Sequence, residues 1–173
     1  SEISEINAEY NPVINPVDFV PAVNNPYYTL APGTTYTYQG KTAEGMEKII
    51  TIVTDKKKEV LGIQATVIWD RVWLDGELIE ETYDWYAQDK AGNVWYFGED
   101  SKEYENGKVT SAQGSWEAGV DGAKPGIIME TAPKVGDSYR QEYFKGEAED
   151  IADVVSLSEA VSVPYGNFSN CLK

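Results

Sequence analysis

The chain has 173 residues, with 14 Lys and Arg against 29 Asp and Glu, no histidine and one cysteine, for a formal net charge of −15. The length suits one domain with a single sizeable core, and the charge repels phosphate backbones and anionic membrane surfaces, which argues against nucleic acid as a partner. Without histidine there is no Ser-His or Cys-His nucleophile pair and no ordinary catalytic zinc centre; with Cys171 alone there is no internal disulfide, CxxC pair or thiolate cluster. Chemistry would fall to carboxylates, Tyr, Ser or Lys, or to a hard metal held by oxygen. No apolar run approaches the roughly 20 residues of a spanning helix, so no transmembrane segment is expected.

Residues 1–33 are punctuated by Pro12, Pro16, Pro21, Pro26 and Pro32. Each proline lacks a backbone donor and pushes its predecessor toward extended backbone, which excludes helix over most of the stretch. It reads as an extended N-terminal arm pinned by Phe19, Val20, Tyr27 and Tyr28, with residues 1–10 also readable as a disordered tail. The opening SEISEINAEYNPVINP holds no basic, apolar leader, so any signal peptide is expected to have been removed. Residues 34–173 read as a single β-domain. TTYTYQG alternates Thr and Tyr, KTAEG turns into MEKIITIVT, and DKKK reads as a polar turn before one long strand, EVLGIQATVIWDRVWL. Asp75-Gly76 closes that strand as a two-residue hairpin, ELIEETYDWYAQD runs back, KAGN turns, VWYFGE follows, and Asn106-Gly107 marks another hairpin. These are successive antiparallel strands, a meander. Residues 117–137, rich in Gly and Pro, read as a long loop of the lid or binding kind. SYRQEYF resumes as strand, GEAEDIADVVSLSEA fits a short helix as well as a strand, and VSVPYGNFSNCLK is a last strand with a Pro-Tyr-Gly bend. Its abrupt stop leads to the expectation that the natural chain continues beyond residue 173.

Hairpin register assigns faces. With Asp75 and Gly76 as loop residues, Leu74 faces Glu77, Trp73 faces Leu78, Trp69 faces Thr82 and Val67 faces Asp84. With residues 90–93 as the next loop, Tyr86 faces Phe97 and Asp84 faces Glu99. Side chains alternate along a strand, so one face carries Leu61, Ile63, Ala65, Val67, Trp69, Trp73, Leu78, Tyr86, Trp95 and Phe97. The other mixes Gln64, Thr66, Asp70, Glu81 and Asp89 with Ile68, Tyr83, Trp85 and Tyr96. Asp84 and Glu99 fall opposite one another on the apolar face, where like charges repel and burial disfavours both ionised forms. Four readings stand: pairing with a basic residue such as Arg140; a water-filled cavity that binds a ligand or a calcium ion through these oxygens; a catalytic acid/base pair; or a one-residue slip of register that moves every side chain to the other face. DxxGN at residues 89–93 lacks the alternating donors of an EF-hand and reads as an Asx turn. Cys171, with no base beside it, reads as a small packed residue.

The blocks YDWYAQDKAGNVWYFGED, GSWEAGVDGAKPGIIM, VGDSYRQEYFKGEAED and VPYGNF together resemble a widespread group of uncharacterised bacterial and archaeal exported domains, over residues 10–173. The resemblance implies an extracytoplasmic protein, secreted, periplasmic or a surface lipoprotein, and implies no activity. More distantly, the long hairpins look like the half-barrels of periplasmic lipoprotein carriers, a likeness of fold alone. The expected architecture is mostly β, an antiparallel meander curled into a curved sheet or open barrel, with an extended Pro-rich N-terminal arm and little helix. The expected function is non-catalytic binding of a small molecule, lipid or glycan on an aromatic concave face. Trp69, Tyr86, Trp95 and Phe97 would supply contact area, Asp84 and Glu99 would orient a polar or cationic group, and the 117–137 loop, with Trp116 at its entrance, would cover the mouth. No cofactor is expected beyond a calcium ion that the carboxylates admit. Two alternatives remain open: a carboxylate-dependent glycan hydrolase built on Asp84 and Glu99, and a structural or adhesive surface module with a packed interior.

Overall fold

The computed structural model describes residues 10–173, so the reading of residues 1–10 as a tail lies outside the described residues except at Tyr10, whose hydroxyl donates to the Pro125 carbonyl at 2.8 Å. A 3-10 turn, Pro16–Asp18, is entered through Asn15, whose side chain accepts from the Val17 amide. It leads into three two-residue strands, β1 (Phe19–Val20), β2 (Val23–Asn24) and β3 (Thr29–Leu30). The meander follows as β4 (Thr35–Lys41), β5 (Met46–Val60), β6 (Ile63–Leu74), β7 (Glu77–Asp89), β8 (Val94–Glu105) and β9 (Lys108–Ser111). The remaining strands are β10 (Trp116–Glu117), β11 (Lys124–Met129), β12 (Ser138–Arg140), β13 (Glu142–Tyr143), β14 (Ile151–Asp153), β15 (Glu159–Val163) and β16 (Gly166–Cys171). The main sheet runs β13-β11-β8-β7-β6-β5-β4, antiparallel throughout and curled into a half-barrel. This is the curved, mostly β architecture expected from the strand pattern. Among the described residues no helix is long and apolar enough to cross a membrane.

The arm is part of the fold. β1 pairs with the end of β7, Phe19 opposite Asp89 and Val20 opposite Gln88, along the edge left open where β6 stops pairing at Thr66. Asp75-Gly76 and Asn106-Gly107 form the expected tight turns, both residues of each pair having positive φ, the backbone that suits the right-handed twist of a hairpin.

Three expectations are corrected. DKKK is not a turn. It lies inside β5, where Thr54–Lys56 bulge opposite Val67, and its lysines hold neighbours: Lys57 Nζ donates to the Pro21 carbonyl and Thr66 Oγ1, both at 2.9 Å, and Lys58 bridges to Glu117 at 3.0 Å. The turn falls instead at Leu61-Gly62, with φ of 51° and 78°, splitting what read as one strand. An apolar Leu in left-handed backbone carries no turn signal in the sequence, so Leu61 sits at a hairpin tip, 44% exposed, instead of on the core face. Residues 117–137 are not a lid loop, because β11 within them joins the main sheet between β8 and β13. Gly126 shows why glycine is needed there: a Cβ would lie 2.3 Å from the Gln141 carbonyl carbon. Residues 151–153, readable as helix or strand, pair as a strand with β12.

Two bulges set the faces around the middle of the sheet. On β7, Ile79 is an extra residue between the pairs Trp73–Leu78 and Val72–Glu80, so Trp69 lies opposite Tyr83 and Ile68 opposite Asp84. On β8, two residues, Phe97 and Gly98, stand against Trp85 alone. The 89–93 turn is also one residue longer than expected, which pairs Tyr86 with Tyr96 and Ala87 with Trp95. The longer turn and the bulge cancel, and Asp84 still faces Glu99.

Candidate functional site

The register puts Thr51, Val53, Ile68, Asp70, Asp84 and Tyr86 on one face of β5, β6 and β7. Tyr36 pairs with Thr51, and Tyr38 with Ile49, so the Thr/Tyr alternation of β4 sends both rings to the same face. Across from them runs the segment 27–30. Together these elements enclose a cleft of about 400 Å³ lined by five tyrosines (Tyr27, Tyr28, Tyr36, Tyr38 and Tyr86), the carboxyls of Asp70 and Asp84, Thr29, Thr51 and the aliphatic Leu30, Val53 and Ile68.

Asn25, shielded to 1% exposure, fixes the far wall. Its side-chain carbonyl accepts from the amides of Tyr27 at 2.8 Å and Tyr28 at 3.1 Å, while its amide group donates to the carbonyls of Gly92 and Glu130. Next to it, Asn24 and Gln88 exchange two hydrogen bonds of 2.8 Å, tying the segment to β7. Buried amides with every group paired hold one geometry, because any displacement leaves orphaned donors and acceptors. Asp89 ties the adjacent turn as an Asx turn, accepting from the Asn93 amide at 2.9 Å and from Trp95 Nε1 at 2.9 Å.

At the floor, Tyr86 stacks on Tyr96 at 4.7 Å and meets Tyr28 edge-on at 5.6 Å. The Tyr96 hydroxyl lies 2.7 Å from Asp84 Oδ1 and 2.8 Å from Glu99 Oε2. A phenol has one proton to donate, so only one of these contacts can run from Tyr96 to a carboxylate; the other needs a proton on the carboxyl. Asp84 is the group that keeps it. Burial pushes its pKa up to about 8, hydrogen bonding with the Tyr96 hydroxyl only partly opposes this, and the Glu99 charge adds to it. Burial also raises Glu99, against the Tyr96 bond, and raises Asp70, against its bond from the Thr51 hydroxyl. Tyr28 is pushed up to about 12, chiefly by burial, and Tyr86 is held well above the ordinary phenol value for the same reason.

The residues expected to form one site divide. Asp84 and Tyr86 line the cleft. Glu99 and Trp116 lie behind it on the same face, Trp116 opposite Glu99 and edge-on to Tyr96 at 5.2 Å. Trp69, Trp95 and Phe97 are on the opposite face, correcting the expectation that they share a surface with Asp84. Trp69 stacks on Tyr83, under the Arg71 guanidinium at 3.7 Å, and its Nε1 donates to Glu81. Trp95 and Phe97 pack against Phe19 from the arm. The reason is the pair of one-residue irregularities at Ile79 and in the 89–93 turn, each of which inverts every side chain beyond it. Arg140 is not the partner of Asp84 and Glu99. It lies over the rings of Tyr10 and Tyr143, and Tyr96 fills the role instead. Among the described residues no three Asp, Glu, Cys or His side chains gather to hold a metal, and the cleft offers two carboxyls. Cys171 is a half-buried free thiol.

Sequence reading missed Asp70, Tyr36, Tyr38, Thr51 and Asn25 as parts of the site. Two signals were there: the Thr/Tyr alternation before the first long hairpin, and Asn25-Pro26, a turn-initiating pair with an anchoring side chain. No protein-family model, curated protein or solved structure matches the chain.

Proposed function

We propose that this chain is a non-catalytic ligand-binding domain of an exported protein, taking a small molecule into the cleft between the 27–30 segment and the aromatic face of β4 to β7. The observation that carries the reading is the cleft itself, of a volume suited to a small ligand, walled by tyrosines from three separate stretches of chain and braced by the buried Asn25 and Gln88 amides. Rings supply contact area at low entropic cost, and the carboxyls orient a polar group. The geometry of Asp84 and Glu99 favours binding over glycan hydrolysis. A hydrolytic pair flanks the scissile bond, whereas here the Tyr96 hydroxyl occupies the space between the two carboxyls and Asp84 alone reaches the cleft. The exported location rests on the resemblance of the quoted blocks and on the acidic, Tyr-rich composition.

Native mass spectrometry of the chain after incubation with a small-molecule extract tests the reading, with a Tyr36→Ala/Tyr38→Ala variant as control. Both rings stand on an exposed strand, so their removal leaves the core intact. The expected result is a discrete added mass on the wild type that disappears on denaturation and is missing from the variant. Equal native and denatured masses, with no shift of the cleft tyrosine NMR signals across a fragment library, would overturn it.

A further inference from the structure

We infer that the cleft selects an organic ammonium ion, held by the carboxyls of Asp70 and Asp84 against the tyrosine walls. This rests on the binding reading above and names the ligand class. The first argument is hydrogen-bond capacity. Among the described residues no Lys, Arg, Asn or Gln lines the cleft. Three of the seven lining hydroxyls have partners within the protein: Thr51 donates to Asp70, Thr29 to the Asn25 carbonyl, and Tyr86 is bonded to Tyr28; the other four are the phenols of Tyr27, Tyr28, Tyr36 and Tyr38. The charged side chains of the lining are the carboxyls of Asp70 and Asp84, and a ligand that satisfies carboxylates brings donors or positive charge.

The walls give the second argument. The π-faces of tyrosine attract cations, and rings gathered with carboxyls form the kind of cage that retains ammonium and methylated ammonium groups. Tyr36, Tyr38 and Tyr86 stand on the sheet face and Tyr28 on the arm across from it, so rings flank the space from both sides. A third argument is the field: with a net charge of −15 the molecule concentrates cations around its surface.

Asp84 adds a proton linkage. The groups facing it are Asp70 on β6, Tyr96 and Glu99 on β8, Tyr86 on its own strand and Tyr28 from the arm, none of them cationic. An ammonium ion beside Asp84 would be the first positive charge in that environment. It favours the carboxylate, so binding releases the Asp84 proton and strengthens as pH rises.

The test is isothermal titration with choline and with 1,4-diaminobutane, against their neutral counterparts 3,3-dimethylbutan-1-ol and 1,4-butanediol, and against glucose. The cations are expected to bind at least tenfold more tightly than the neutral molecules. Asp70→Asn is expected to weaken them about tenfold. Tyr38→Phe, which keeps a π-face, should retain binding that Tyr38→Leu loses. Between pH 6 and 9 wild-type affinity should rise, with proton release varying with buffer ionisation enthalpy, and both effects should vanish in Asp84→Asn. Equal binding of a cation and its neutral counterpart, or glucose binding alone with shifts in the cleft tyrosine NMR signals, overturns the cation assignment and leaves a binding cleft in place. A pH-independent wild-type affinity for the cations overturns the role given to Asp84. No binding by any of the five, together with an unresponsive fragment screen, removes both the assignment and the binding reading.

Discussion

Tyr96 carries one phenolic proton and stands between two carboxyls, 2.7 Å from Asp84 and 2.8 Å from Glu99. That count of protons, together with burial, makes Asp84 the residue whose state defines the floor of the cleft. Its pKa, pushed up to about 8, has a consequence for stability with a definite sign. An unfolded chain gives up this proton near pH 4, and the folded chain keeps it to about pH 8. Across that window the native state binds more protons than the unfolded one, so stability is greatest on the acid side and falls as pH rises, by at most about 1.4 kcal/mol per pH unit for one such group. The raised pKa values of Asp70 and Glu99 act in the same direction. Urea denaturation is therefore expected to give a lower midpoint at pH 8 than at pH 5. Asp84→Asn should flatten that decline and exceed the wild type at pH 8. An unchanged slope in the variant would mean that Asp84 titrates as an ordinary exposed carboxyl.

Strand register is decided by irregularities of single residues. Gly98 is where the β8 bulge is made: its φ is +131°, and a Cβ there would lie 2.2 Å from the Trp116 carbonyl oxygen. β10 is paired directly against this point, Trp116 to Glu99 and Glu117 to Gly98. Gly76 also has a positive φ, +89°, but a Cβ there meets nothing within 4 Å. The two glycines separate backbone strain from close approach. Gly76→Ala is expected to cost about 1 kcal/mol, the price of a left-handed alanine. Gly98→Ala adds a steric clash with rigid backbone and should cost at least about 3 kcal/mol. It should also displace β10, seen as a change in the near-ultraviolet circular dichroism of Trp116. Similar losses in the two variants would show that β10 moves aside freely.

For the molecule as a whole, 29 acidic groups against 14 basic ones leave negative charge unmatched. Among the described residues the direct ion pairs are Lys58 with Glu117 and Lys102 with Asp100, and exposed pairs of this kind contribute little. Self-repulsion of the folded state is screened by salt, with a Debye length near 10 Å at 0.1 M. The melting temperature is expected to rise by about 2–4 °C between about 20 and 300 mM sodium chloride, corresponding to about 1 kcal/mol. A flat or falling curve would mean that the carboxylates are spaced widely enough not to repel one another.

The sequence by itself determined the class of fold. Alternating Thr, Tyr, Val and Ile, with Asp75-Gly76 and Asn106-Gly107 at the turns, admits an antiparallel meander and little else, because period-two patterning and left-handed turn residues are local properties of the chain. It also put Asp84 opposite Glu99, through two one-residue errors that cancelled. Which rings share a surface with that pair was decided only in three dimensions. The bulge at Gly98 sits against Trp116, and the Leu61-Gly62 turn hidden in an apolar run sits against Gly119 and Pro16, all far along the chain, while the bulge at Ile79 falls in a run with no turn residue to mark it. Each shifts the pairing by a residue or ends it, and in a strand one residue is the difference between the two faces of the sheet. The cleft therefore brings together Asp70 from β6, Tyr36 and Tyr38 from β4, and Tyr28 from the arm. No local pattern brings these together, because their proximity is a property of the curled sheet.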